Sequence, residues 1–196
     1  MEDQKQGLLR LDEWEIAQIY EDRMCRDFPR SELKPLEAIE RMRRQGMYDC
    51  LGFYEDGQMT AYAFSVTDRE SGYLLLDYLA VCEDCRGSGH GSRCLQEMKR
   101  FYVGEKGLLL ECESLESTND MSEREVRTRR IRFYERSGCM RTAVRSQLFG
   151  VEFEILYLPL REEKADVKGE LERLYRKMLP GSAYEKHVLL FMDNVS

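Results

Sequence analysis

One stretch, residues 72–102, constrains the fold more than any other part of this 196-residue chain. It begins with an apolar run from Tyr73 to Val81, which is interrupted by a single charged residue, Asp77. A short run of this kind is typical of a strand that is covered on both faces of a sheet. A glycine-rich segment follows, Arg86-Gly87-Ser88-Gly89-His90-Gly91, and then apolar residues recur at helical spacing up to Tyr102. The order strand, glycine loop, helix predicts an anion site, because the free N–H groups and the dipole of a helix N-terminus attract phosphate.

Three families of nucleotide-binding sites use such a loop, and residue spacing distinguishes them. A P-loop requires a lysine directly after its glycines, and none follows here. A Rossmann loop requires a third glycine where this chain has Ser92, and it lies closer to its strand. A strand with an acidic end, Leu108 to Glu113, nevertheless follows at about the Rossmann distance, so a dinucleotide-binding dehydrogenase stays open as a lesser alternative.

The pattern that fits is Arg/Gln-x-x-Gly-x-Gly, from Arg86 to Gly91, after a strand that ends Leu79-Ala80-Val81. It resembles the acetyl-CoA loop of the GNAT superfamily of N-acetyltransferases. A second match lies downstream, where Tyr134 stands four residues before Gly138 at the end of a helical segment. The order of elements from residue 7 to about residue 158 also resembles that family.

The resemblance implies an α/β (α+β) GNAT fold, with a mixed central sheet of about seven strands and helices on both faces. This chain is longer than the minimal GNAT fold, and the additional residues are at its C-terminal end. We therefore expect a GNAT acetyltransferase domain over residues 1–160 and a helical extension over residues 161–196 that packs on it. Apolar residues at helical spacing between Val167 and Met178 predict the extra C-terminal helix.

The same resemblance implies direct transfer of an acetyl group from acetyl-CoA, a co-substrate, to a primary amine. Main-chain N–H groups of the loop would hold the pyrophosphate, and an N–H near Leu79, Ala80 and Val81 would stabilise the oxyanion. The candidate cofactor-binding residues of the loop are Arg86, Gly87, Ser88, Gly89, His90, Gly91 and Ser92. An alternative of another class is a CoA-binding sensor or scaffold module that does not catalyse transfer.

Four residues are candidates for acid–base chemistry. Tyr134 resembles the general acid of the family. Glu111, in Leu110-Glu111-Cys112, resembles a glutamate that serves as general base in some members. Asp77 is the second candidate base, because a carboxylate within so apolar a strand is either hydrogen-bonded internally or lines a cleft. Glu113 is the third.

Two arginines complete the predicted site. On a helical wheel Arg127 lies almost in line with Tyr134, and Arg130 falls on the same inner arc, whereas Arg132 lies on the opposite side. An arginine on an inner face is costly unless it meets an anion. Arg127 and Arg130 therefore either face the cofactor or pair internally with glutamates, and the wheel does not decide between these.

The composition of the chain limits the kinds of molecule that it is expected to bind. The net charge of −7 gives no general attraction to nucleic acid or to an anionic membrane, and no apolar run is long enough to span a bilayer. We expect a small-molecule amine as substrate and a monomer or homodimer. Seven scattered cysteines favour free thiols in a reducing cytoplasm, and the isolated Cys82-x-x-Cys85 pair predicts no metal site. The acceptor stays open among a polyamine, an amino acid, an antibiotic and a protein N-terminus.

Overall fold

The structure, a computed structural model, describes residues 5–30, 32–162, 164–179 and 181–193. Within these residues there are eight strands, in the sheet order β1-β2-β3-β4-β5-β7-β6-β8. Their bounds are β1 Gly7–Arg10, β2 Tyr48–Glu55, β3 Gln58–Asp68, β4 Tyr73–Val81, β5 Gly107–Glu113, β6 Met140–Leu148, β7 Val151–Pro159 and β8 Val188–Met192. The mixed sheet confirms the predicted fold class, and the strand beyond the predicted seven is β8, from the C-terminal segment.

Helices occupy most of the remaining chain. Their bounds are α1 Glu13–Ile19, α2 Cys25–Asp27, α3 Leu36–Arg44, α4 His90–Phe101, α5 Met121–Arg136, α6 Val167–Met178 and α7 Ser182–His187. A π-helical segment, Tyr20–Met24, joins α1 to α2. The chain divides into two compact units: Met1–Thr67 with Asp77–Tyr102, and Asp68–Leu76 with Val103–Ser196.

In the first unit, β1, β2 and β3 form an antiparallel meander. Asp56 and Gly57 take positive φ angles of 51° and 80° in the β2–β3 turn, as the two-residue turn of an Asp-Gly hairpin requires. The side chain of Asp12 caps α1, and Glu15 completes the capping box. This frame supports the C-terminal half of β4, the glycine loop and helix α4.

In the second unit, β5 is central. The first half of β4 pairs with it in parallel, from Tyr73–Gly107 to Leu76–Leu110, and β7 pairs with it in antiparallel fashion. Parallel neighbours require a crossover connection, and α4 lies between these two strands in the chain. β6 lies between β7 and β8, so the C-terminal segment extends this side of the sheet.

The C-terminal segment is tied to its unit by a buried charge. Arg173 and Lys177 of α6 both bind the carboxylate of Asp68, whose side chain is fully buried. Burial alone would raise the pKa of Asp68, but the hydrogen bonds from Lys177 and Arg173 lower it to about 2. Helix α6 also packs on β6 and β8. The division at residue 160 into domain and extension stays a prediction, and Pro180, which the sequence places after the helix, lies outside the described residues.

Candidate active site

The glycine loop leaves the N-terminal end of helix α4 without a cap from its own chain. Gly87 and Gly89 take φ angles of +83° and +79°, which side-chain-bearing residues rarely adopt. Gly89 is the N-cap residue, and no side chain caps the helix. The first bond of the helix runs from the N–H of Arg93 to the carbonyl of Gly89, at 3.1 Å. The N–H groups of His90, Gly91 and Ser92 precede that bond, and together with the helix dipole they form a site suited to phosphate.

Arg86 holds the start of the loop. Its guanidinium donates to Asp27 at the end of α2, with an Nη2–Oδ1 distance of 2.6 Å, and to the carbonyl oxygen of Val81 at 3.3 Å. The other oxygen of Asp27 accepts from the hydroxyl of Tyr62, at 2.8 Å. The arginine of the motif therefore orients the loop through side-chain contacts within the protein.

Arg93 holds the other end of the loop. It donates to both carboxylate oxygens of Glu55, at 2.8 and 3.1 Å, and to the carbonyl of Ser88, at 2.9 Å. His90 Nδ1 also contacts Glu55. The Arg93 guanidinium holds the pKa of the Glu55 carboxyl below its usual value. Side-chain contacts thus hold the glycine loop at both of its ends.

The end of β4 is where the oxyanion donors are predicted. Leu79, Ala80 and Val81 are half-buried, whereas Tyr73 to Leu76 are buried. The β4–β5 ladder ends at the Leu76–Leu110 pair, so these three residues lie beyond it. Their role toward an oxyanion stays a prediction.

Asp77, on the same strand, is paired inside the first unit. Lys34 Nζ lies 2.6 Å from one carboxylate oxygen, and the hydroxyl of Tyr48 donates to the other. Only 8% of the Asp77 side chain is exposed. Burial, and after it the neighbouring Asp77 carboxylate, raise the pKa of Tyr48 well above its usual value, so its hydroxyl stays protonated and donates. Asp77 would have to exchange one of these partners before it could accept a proton from a substrate.

Glu111, on β5 in the second unit, is half-buried. Its carboxylate accepts a hydrogen bond from the hydroxyl of Tyr175, a fully buried residue of α6. The same hydroxyl lies 3.0 Å from Ser146 Oγ of β6. The C-terminal helix therefore reaches the first candidate base directly.

Glu113 binds both arginines of the predicted site. Arg127 Nη2 lies 3.1 Å from one of its oxygens and Arg130 Nη1 lies 3.0 Å from the other. Arg127 also donates to the carbonyl of Ser114 at 2.7 Å, and its side chain is 12% exposed, whereas that of Arg130 is 42% exposed. The internal pairing that the wheel left open is the arrangement in this structure. A role of either arginine toward the cofactor stays a prediction.

Tyr134 lies in the last turn of α5 and is 9% exposed, and its ring packs against that of Phe133. Its carbonyl accepts the N–H groups of Ser137 and Cys139, both at 3.0 Å, which fixes the turn that ends the helix at Gly138. The chain thus presents a phenol at the end of a helix where the sequence predicts one.

The sequence model of the acetyltransferase (GNAT) family matches residues 13–139, more than half of the chain. The chain belongs to the GNAT family of acetyltransferases. The Rossmann alternative is therefore wrong: the glycines that resemble its loop belong to a GNAT domain.

Solved structures show the same fold at low identity. A putative GNAT acetyltransferase from Bacteroides thetaiotaomicron is 18% identical, with a TM-score of 0.68, and the match covers 86% of this chain and 96% of that one. The ribosomal-protein-S18-alanine N-acetyltransferase of Escherichia coli is 18% identical, with a TM-score of 0.56, over 82% and 97% of the two chains. A Bacillus subtilis acetyltransferase in complex with CoA is 13% identical, with a TM-score of 0.55, over 80% and 100%. A search of curated protein sequences found no match.

Some residues of the candidate site lie inside the segment that matches the GNAT model, and one lies outside it. The loop, Glu111 and Tyr134 lie inside the matched segment, whereas Tyr175 lies beyond it. Sequence reasoning missed Tyr175, Glu55, Asp27 and Lys34. They contact the predicted site residues Glu111, His90, Arg86 and Asp77, respectively, across 35 or more residues of chain, so no local spacing reveals them.

Two further observations bear on the chemistry of this GNAT chain. Among the described residues, no group of three or more His, Cys, Asp and Glu side chains is arranged to hold a metal ion. No helix in the described part of the chain is long and apolar enough to cross a membrane.

Proposed function

We propose that this GNAT-family chain transfers an acetyl group from acetyl-CoA directly to a primary amine. The observation that carries the proposal is the N-terminal end of α4. It has no side-chain cap, two glycines with positive φ precede it, and salt bridges hold its loop from both sides. A helix end of this kind fits a pyrophosphate group. The CoA complex of the Bacillus subtilis structure supports the choice of acetyl-CoA.

In this proposal the main-chain N–H groups from Arg86 to Ser92 bind the pyrophosphate. Acetyl-CoA supplies the activated acetyl group as a thioester. An N–H group among Leu79, Ala80 and Val81 stabilises the oxyanion, and a main-chain donor suits that role because it is fixed before the charge develops.

Glu111 is the proposed general base. An alkyl amine resembles a lysine, with a pKa of ~10.4, so almost all of it is protonated at neutral pH and cannot attack. Glu111 removes that proton, directly or through a water molecule. The hydroxyl of Tyr175 donates a hydrogen bond to this carboxylate, which orients it. Tyr134, as the general acid, then protonates the departing thiolate.

Direct transfer is favoured over a covalent enzyme intermediate by the state of the buried cysteines. Burial raises the pKa of both Cys94 and Cys112 to about 12, and it also raises the pKa of Cys50 and Cys82. A thiol attacks as its thiolate, so these residues are poor nucleophiles near pH 7. All seven cysteines are free thiols, which supports the proposal of a reducing, cytoplasmic setting.

A CoA-binding sensor or scaffold is the second candidate. This function is favoured because both candidate bases already have hydrogen-bond partners within the protein. Tyr175 donates to Glu111, and Lys34 and Tyr48 contact Asp77. A site used for binding alone has no need to release these contacts.

One experiment separates the two functions. The protein is incubated with acetyl-CoA and a library of amines that includes polyamines, amino acids, aminoglycosides and N-terminal peptides, and products are detected by mass spectrometry. Acetyl transfer should yield one class of product with a mass increase of one acetyl group. Tight acetyl-CoA binding by calorimetry, with no acetylated amine in any class, would favour the sensor and contradict the enzyme.

A further inference from the structure

The side chain of Lys34 places its alkylammonium group in a site of the first unit that holds the largely buried carboxylate of Asp77. The Asp77 side chain is 8% exposed, and that of Lys34 is 21% exposed. The ammonium nitrogen lies 2.6 Å from this carboxylate and 5.5 Å from the centroid of the Tyr78 ring. Tyr48, itself buried, donates its hydroxyl to the second oxygen of Asp77. A carboxylate beside an aromatic face is the combination that recognises an organic cation.

The Lys34–Asp77 pair differs in its burial from the ion pairs on the protein surface. Lys106 offers the comparison, because its ammonium also lies near a carboxylate and an aromatic ring: 3.9 Å from Glu162 and 5.7 Å from the Tyr73 centroid. Both side chains of that pair are more than 40% exposed, so water competes for each of them. At Asp77 the carboxylate is desolvated, and a cation is needed to balance it.

Lys34 lies in the irregular connection between α2 and α3. Its main-chain N–H donates to the Tyr78 hydroxyl at 2.9 Å, and its carbonyl accepts from the Tyr20 hydroxyl at 3.0 Å. These two bonds hold the main chain of Lys34 independently of its ammonium. Rotation of the side chain would therefore empty the site at the cost of the bond to Asp77, without breaking a main-chain hydrogen bond.

We propose that Asp77, Tyr48 and Tyr78 form a binding site for an alkylammonium group, and that Lys34 occupies it in the free protein. The ligand is the charged head group of a cationic amine. The further step, that this amine is the acetyl acceptor, rests on the proposed function. Asp77 then binds the substrate rather than removing its proton.

Chemical rescue tests the site without any activity assay. Lys34→Ala removes the cation and every side-chain atom beyond Cβ, and n-butylammonium carries the same charge on a chain one carbon longer than the part removed. The variant should melt at a lower temperature than the wild type, because Asp77 loses its partner. Addition of n-butylammonium chloride should restore more than half of that loss, since a ligand that binds only the folded state stabilises it. The wild type should gain no more than it gains from potassium chloride at the same ionic strength.

Three controls make the result specific. The neutral isostere 1-butanol should not rescue Lys34→Ala. n-Butylammonium should not rescue Lys106→Ala, nor the double variant Lys34→Ala/Asp77→Asn, in which the site has lost its charge. If Lys34→Ala does not stay folded, its refolding yield with and without n-butylammonium gives the same readout.

The outcomes separate this site from the proposed function. Rescue that depends on Asp77 supports the site, and detection of N-butylacetamide after addition of acetyl-CoA supports its use for the acceptor. Rescue without that product supports the site and counts against the acetyl transfer. The proposal would be overturned if n-butylammonium raised the melting temperatures of Lys34→Ala and Lys106→Ala equally. It would also be overturned if Lys34→Ala and Lys34→Ala/Asp77→Asn gained equally, whether or not acetylation occurs.

Discussion

Helices α4 and α5 begin in opposite ways. The side chain of Asp120 caps α5 and accepts from the N–H groups of Ser122 and Glu123, at 2.7 and 3.1 Å. Helix α4 follows Gly89, which has no side chain to offer. A helix whose free donors are satisfied by its own chain needs nothing more for stability, whereas an uncapped N-terminus retains donors for a ligand. The difference supports the proposal that the N-terminal end of α4 is kept for a ligand, whereas the cap of α5 serves the fold.

The candidate functional groups of the two helices also lie at opposite helix ends. The candidate site at α4 uses main-chain groups at the N-terminal end, and a charged ligand is attracted there by the dipole. The candidate group of α5 is a side chain, Tyr134, in its last turn. The comparison therefore predicts that damage to α4 changes binding and that damage to the end of α5 changes chemistry.

The largest effect is expected at Tyr134. Tyr134→Phe keeps the ring and its packing on Phe133 and removes only the hydroxyl. If the phenol protonates the leaving thiolate, kcat should fall by about 10²-fold or more, because a positioned general acid contributes about 10²–10⁴-fold. The Kd for acetyl-CoA, measured by calorimetry, should stay within about twofold, or ~0.4 kcal/mol.

The control for this prediction is Phe133→Leu, which alters the same turn without touching the hydroxyl. It should lose stability but keep kcat. Normal turnover by Tyr134→Phe, under conditions in which the chemical step limits the rate, would remove the tyrosine from the mechanism. Loss of acetyl-CoA binding together with loss of fold would mean that Tyr134 is a core residue.

An effect on binding is expected at Gly87. Gly87 and Gly46 match as a test pair, because both have positive φ, +83° and +72°, and an added Cβ atom would meet nothing within 4 Å at either. The backbone cost of Gly→Ala should therefore be similar, about 1 kcal/mol of unfolding free energy each. In the proposed site only Gly87→Ala places a methyl group where the pyrophosphate approaches. It should weaken acetyl-CoA binding at least tenfold, or ~1.4 kcal/mol, and Gly46→Ala should not.

Equal acetyl-CoA affinities in the two glycine variants would show that the loop glycines serve the backbone alone. Titration calorimetry and thermal melts of the same preparations give both quantities.

The parts of the fold that the sequence predicts well depend on local signals. The bounds of β4 and β5 follow from apolar runs that are flanked by turn residues, and the capping box of α1 depends on Asp12 and Glu15, three residues apart. Strand β8 was harder to predict. Its segment is short and apolar, and three of its residues, Leu189, Phe191 and Met192, are exposed, so no period distinguishes a strand from a helix.

For the candidate site, the sequence indicates candidate residues but not the contacts between them. The helical wheel puts Arg127 and Arg130 on one inner arc, yet Arg130 is 42% exposed and both bind Glu113. A helical wheel gives a direction from the axis but not what lies in that direction, so cofactor and glutamate could not be distinguished. The pairing of Asp77 with Lys34 likewise depends on the path of an irregular connection, which no periodicity encodes.

The smallest effect is expected at Asp120, the cap of α5. Asp120→Ala leaves the N–H groups of Ser122 and Glu123 without their acceptor, and loss of an N-cap side chain costs about 1 kcal/mol of unfolding free energy. Asp12→Ala at the cap of α1 should cost a similar amount, and chemical denaturation can compare the two variants. Neither should change the Kd for acetyl-CoA more than about twofold, since ~0.4 kcal/mol lies within the usual effect of a distant substitution. A tenfold weaker affinity in Asp120→Ala alone would mean that the N-terminal end of α5 also serves the ligand. The contrast with α4, on which the assignment of the phosphate site depends, would then fail.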